Sequence, residues 1–114
     1  LQRVLKFFGL AMTLLLLQGD IFALKIYSRI FTPNGDGWND QVVFEMENPG
    51  LLPLKGEIFD LTGAKVDDMI PGPNSETTLK WNGKKSNVPV PSGIYIYQIE
   101  LGGKITTGTV VVAQ

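Results

Sequence analysis

The chain has 114 residues, 44% of them hydrophobic and 18% charged, with a net charge of −1; that is one small globular domain, too apolar for disorder and without the positive charge that nucleic acid or an anionic membrane demands. It contains no Cys and no His, which excludes disulfides, thiol nucleophiles, His- or Cys-built zinc sites and any Ser-His-Asp triad. An enzyme would have to work with carboxylates, Lys, Tyr or a bound metal, so the expectation is a non-enzymatic protein without a small-molecule substrate.

Leu1 to Ala23 reads as a secretory signal peptide. Arg3 and Lys6 make a short positive region, Phe7 to Leu17 an apolar run, and "GDIFA" offers cleavage after Ala23 with Ile21 at the −3 position. The run is shorter than the roughly 20 apolar residues that span a bilayer, so contact with a membrane is expected only through this segment. Domain boundaries at 1–23 and 24–114 follow. The second part keeps eight Lys and Arg against ten Asp and Glu, a charge of about −2. An exported chain without cysteine draws its stability from a packed core or a bound ion.

Beyond Ala23 the chain reads as strands and turns. "LKIYSRIF" (24–31) is β-prone. "QVVFEMEN" alternates, with Val42, Phe44 and Met46 facing inward and Gln41, Val43, Glu45 and Glu47 outward. "KGEIFDL" is a third strand, and Thr62-Gly63 reverses the chain into "AKVDDM". "TTLKW" places Leu79 and Trp81 on one face. "NGKKSNVPVPS" reads as a polar loop in which Asn82-Gly83 is a turn pair and Pro91-Ser92-Gly93 an abrupt entry to the next strand. In "GIYIYQIEL", Tyr95, Tyr97, Ile99 and Leu101 share one face, with Ile94, Ile96, Gln98 and Glu100 on the other. Gly102-Gly103 is a hairpin turn into "KITTGTVVV". About seven short strands with closely spaced turn signals point to an all-β, Ig-like antiparallel sandwich with Trp81 in its core.

"FTPNGDGWND" (31–40) is the segment that invites a chemical reading. A phosphate cradle fails: Gly35-x-Gly37 is followed by Asp40 where a third Gly belongs, and by a strand pattern in place of a helix. Asp36 and Asp40 as acid and base would need a cleft to separate their pKa values. Calcium fits better. Aligned on Gly37, Asn34, Asp36 and Asp40 occupy the third, fifth and ninth positions of an EF-hand-like loop, but Thr32 and Val43 stand where the first Asp and the bidentate Glu belong. The competing reading is turn chemistry, with Asn34, Asp36 and Asn39 bonding to backbone N–H groups and closing the loop without metal.

"FTPNGDGWND" with "VVFEM", "GEIFDLTGAKV", "LKWNG" and "VPVPSGIYIYQIELGGKITTGTVVVA" resembles the gliding-motility-associated C-terminal domain, the type B sorting domain of the type IX secretion system. The second half is similar to the Ig-like domain of the flagellar hook-cap protein. The resemblance covers residues 29–113 and rests on Pro33, Gly35, Gly37, Trp81, Asn82, Gly83, Pro91, Gly93, Tyr95 and Tyr97. It implies an Ig-like fold, no enzymatic activity, a place in the bacterial envelope or outside it, and secretion or envelope proteins as partners. The basic residue usual near the end of the family is Gln114 here. A calcium-dependent module binding envelope glycan or protein is the alternative expectation.

Overall fold

The computed structural model describes residues 23–114; the signal peptide expected over 1–23 lies outside the described residues except for Ala23. Every regular element among them is a strand: β1 (Leu24–Tyr27), β2 (Ile30–Phe31), β3 (Val42–Met46), β4 (Leu54–Phe59), β5 (Lys65–Asp68), β6 (Ile70–Pro71), β7 (Thr78–Trp81), β8 (Lys84–Lys85), β9 (Val88–Pro89), β10 (Gly93–Leu101) and β11 (Lys104–Val112). A four-stranded sheet in the order β1-β3-β7-β6 faces a five-stranded sheet in the order β2-β11-β10-β4-β5, and β8-β9 form a separate hairpin.

The eleven strands exceed the expected seven or so for three local reasons. "LKIYSRIF" breaks at Ser28, whose φ of 63° turns the chain from one sheet to the other. Past it, β2 runs parallel to β11, with Ile30 opposite Val111 and Phe31 opposite Val112; every other pairing is antiparallel. "AKVDDMIP" breaks likewise at Met69, β5 staying with β4 while β6 joins β7. The expected polar loop holds a hairpin, with Lys85 opposite Val88 across Ser86 (φ 48°) and Asn87 (φ 71°). Two successive positive φ values are the geometry whose twist matches a two-residue hairpin. Gly102 (φ 57°) and Gly103 (φ 87°) make the same kind of turn between β10 and β11.

The core lies between the inner faces, as alternation dictates. Val42, Phe44, Met46, Leu79 and Trp81 from one sheet meet Ile58, Tyr95, Tyr97, Ile99, Leu101, Val110 and Val112 from the other, with Phe31 added from β2. Two glycines make room for large neighbours. Gly56 lies under Met69, whose sulfur would be 2.5 Å from an added Cβ. Gly108, opposite Tyr97, lies under its ring, with Oη 2.4 Å and Cε2 and Cζ 2.6 Å from an added Cβ. The Tyr97 ring also packs on Phe44 with centroids 4.8 Å apart. The outer-face positions Ile96 and Gln98 are only 5% exposed. β10 is the middle strand of its sheet, so Phe59 and Thr109 flank Ile96, and Glu57 and Thr107 flank Gln98. The edge strand β5 is protected by charge, Lys65 bridging Glu57 at 2.9 Å and Asp68 at 2.8 Å.

Candidate functional site

The loop between β2 and β3 is built by its own polar side chains. Asn34 Oδ1 accepts from Asp36 N–H at 3.1 Å, and Asp36 Oδ1 accepts from Trp38 N–H at 2.8 Å, giving two overlapping Asx turns. Gly35 (φ 80°), Gly37 (φ 84°) and Asn39 (φ 55°) alternate with ordinary conformations, which turns successive N–H groups toward one concavity. Nothing lies within 4 Å of a Cβ built at either glycine, so the backbone angle and not space requires Gly there. The Asp40 carboxylate fills the concavity. Its Oδ1 accepts from Asn34 N–H at 3.2 Å and Gly35 N–H at 3.0 Å, and its Oδ2 accepts from Gly37 N–H at 2.8 Å. Asn39 departs from expectation. Its side-chain amide donates to Ile30 O at 3.1 Å, and its backbone carbonyl accepts from Thr32 N–H at 2.8 Å, which ties the base of the loop.

Turn chemistry accounts for the hydrogen bonds these side chains make. An oxygen from each of Asn34 and Asp36, and both from Asp40, are directed at backbone N–H groups, the work of a turn. Asp36 is exposed and Asp40 half-buried on the same open loop, with no enclosed cleft around the pair among the described residues. Among the described residues no three His, Cys, Asp or Glu side chains cluster as a metal-binding group.

The remaining motif residues other than Tyr97 gather beside this loop. Trp81 is 2% exposed and donates from Nε1 to Lys84 O at 2.9 Å, while Asn82 Oδ1 accepts from Lys84 N–H at 3.2 Å. Gly83 has φ +75°, and an added Cβ would come within 2.9 Å of Pro33 Cγ and 3.2 Å of Phe31 Cε2. The Pro33 ring therefore seats directly on the Asn82-Gly83 turn. Phe31, Trp81 and Tyr95 form an edge-to-face series with centroids 5.7 and 5.4 Å apart. The Tyr95 hydroxyl donates to Pro91 O at 2.6 Å, a corner that fixes the turn Pro91-Ser92-Gly93 to the strand it opens. Burial, with a smaller contribution from the Asp60 charge, holds the Tyr95 phenol above its usual pKa. Burial raises that of Tyr97 too, partly offset by Arg29.

The last residues close the same end of the sandwich. Ala113 N–H donates to Phe31 O at 2.9 Å, Gln114 N–H to Ser92 Oγ at 3.0 Å, and Gln114 Nε2 to Val90 O at 2.7 Å. β1 starts at the opposite end: Val42 pairs with Trp81, whereas Leu24 pairs with Met46 at the far end of β3. Trp38, which is 80% exposed at the loop tip, is a residue of this pole that the sequence reading did not single out. Its signal was there: an aromatic between Gly37 and Asn39, outside any strand alternation.

The family model described as CHU_C type IX secretion signal domain matches residues 24–112. No curated protein matches. Among solved structures, the chain is similar to PorZ of Porphyromonas gingivalis, described as an essential bacterial surface component of its type IX secretion system. That similarity has a TM-score of 0.58 and 20% identity over 81% of this chain and 12% of PorZ, and is a likeness of fold. The family match begins at the first residue of β1 and ends at the last of β11: the chain belongs to the CHU_C type IX secretion signal domain family.

Proposed function

We propose that this domain is a non-enzymatic sorting and surface-assembly module, read by proteins of the type IX machinery or the envelope and delivered to the bacterial surface or beyond. The observation that carries the reading is the convergence of the motif. Segments far apart in sequence, 31–40, 81–83 and 91–95, are brought to one pole and locked there by Pro33 on Gly83 and by the Phe31–Trp81–Tyr95 series. The first described strand begins at the other pole, away from the motif. A rigid, displayed surface suits recognition by a partner, since little conformational freedom is lost on docking.

The test is a passive reporter carrying a functional signal peptide at its N-terminus and residues 24–114 at its C-terminus, expressed in a host with a type IX system. The expected result is reporter on the cell surface or in the medium. Retention in the periplasm, with the domain folded, would count against the reading.

A further inference from the structure

Trp38 is the most exposed large hydrophobic residue described, yet the backbone beneath it is tightly held. Asp36 accepts its N–H at 2.8 Å, Asp40 accepts the preceding N–H of Gly37 at 2.8 Å, and Asn39 on its other side donates to Ile30 O at 3.1 Å. An indole in water contributes nothing to the core. Presented on a prearranged loop, it is the side chain type that most often dominates binding at a protein interface. The charge beside it narrows the partner. Residues 31–40 contain Asp36, Asp40 and no Lys or Arg. The Asp40 charge is met by three backbone N–H groups, whereas Asp36 is exposed and, among the described residues, forms no ion pair.

We propose that Trp38 is the anchor of the sorting surface, inserting into an apolar pocket on a protein of the secretion machinery whose rim is basic and pairs with Asp36. The inference rests on the sorting reading above and names the partner chemistry of that same pole. A lipid surface is the poorer occupant, because anionic headgroups repel Asp36. A second copy of the 31–40 loop would bring Asp36 and no basic residue of that loop to meet it.

The reporter fusion tests this with four variants. Trp38→Ala is expected to lower the exported fraction about tenfold while the urea midpoint of purified 24–114 stays at the wild-type value. Trp38→Phe is expected to keep most export. Asp36→Asn, which retains an oxygen for the Trp38 N–H, is expected to lower export several-fold. Leu51→Ala, at an exposed leucine outside the motif, is expected to change nothing. Wild-type export by Trp38→Ala would overturn the anchor and leave the sorting reading intact, whereas a wild-type fusion held in the periplasm would bring down both. A fall in the urea midpoint that tracks the loss of export would make Trp38 structural and overturn the proposal. So would a Trp38-dependent blue shift of tryptophan emission on phosphatidylcholine–phosphatidylglycerol vesicles, or Trp38-dependent dimerisation in sedimentation.

Discussion

Replacing Gly108 by Ala tests the packing that holds β10 against β11. A methyl group there would lie 2.4 Å from Tyr97 Oη and 2.6 Å from Cε2 and Cζ, far inside van der Waals contact. The ring cannot simply swing away, because its other side packs on Phe44 with centroids 4.8 Å apart. Overpacking of this kind costs about 1–3 kcal/mol. The lower backbone entropy of Ala in the unfolded chain offsets about 0.5–1 kcal/mol of it. A net loss of about 1–2 kcal/mol is expected, which in a domain of this size lowers the melting midpoint by about 4–16 °C. The assay is thermal and urea unfolding of 24–114, repeated in a Tyr97→Leu background. Leucine lacks all three clashing atoms, so there the Ala substitution should be neutral or stabilising, with a coupling energy of about 1–3 kcal/mol. An equal loss in both backgrounds, or none in the wild type, would refute the argument.

Asp40→Ala removes the acceptor of three loop N–H groups and is expected to cost about 1–2 kcal/mol in urea unfolding, comparable to losing a helix cap, with Asp40→Asn between it and wild type. Because both Asp40 oxygens already serve the backbone, saturating calcium is expected to leave the thermal midpoint where a chelator leaves it. Stabilisation near the 2.7 kcal/mol or so of a ligand at 100 times its dissociation constant would instead reveal a calcium site. Asp60 is held below its ordinary pKa of 3.8 chiefly by the Thr62 hydroxyl, helped by the N–H groups of Ala64 and Thr62. A depressed carboxyl stabilises the fold fully above its unfolded value, and that contribution is lost as the pH falls through the folded value. Thr62→Val should therefore lower stability by a constant amount between about pH 5 and 8, a deficit that narrows as the pH falls through the folded value, and move the acid-unfolding midpoint upward, as followed by circular dichroism.

The fold was legible wherever one strand face is buried. Val42, Phe44 and Met46, then Leu79 and Trp81, then Tyr95 through Leu101, alternate in sequence as they do in the core. Sheet switching at Ser28 and Met69 was not: at Ser28 a single φ of 63° redirects a β-prone stretch, and at Met69 one residue separates strands that pair in different sheets. The β8-β9 hairpin was hidden for a related reason: strands of two residues show no period, and Ser86-Asn87 is a weaker turn signal than Asn-Gly. At the site, composition revealed a constrained loop but not the direction of its bonds. Asp40 accepts three N–H groups at the loop's centre, and the Asn39 side chain, read as an acceptor, donates instead.

The pairing of β2 with β11 joins the second strand of the sandwich to the last of its described strands. A nascent chain interrupted before Lys104 would leave β10 without its longest partner, β2 without any, and Phe31 uncovered where Val112 and Ala113 should meet it. The motif pole would then be absent as a surface even with every earlier motif residue already synthesised. Stalled ribosome-bound chains should accordingly be protease-sensitive, and an export route reading this pole would reject truncated products without any separate quality control.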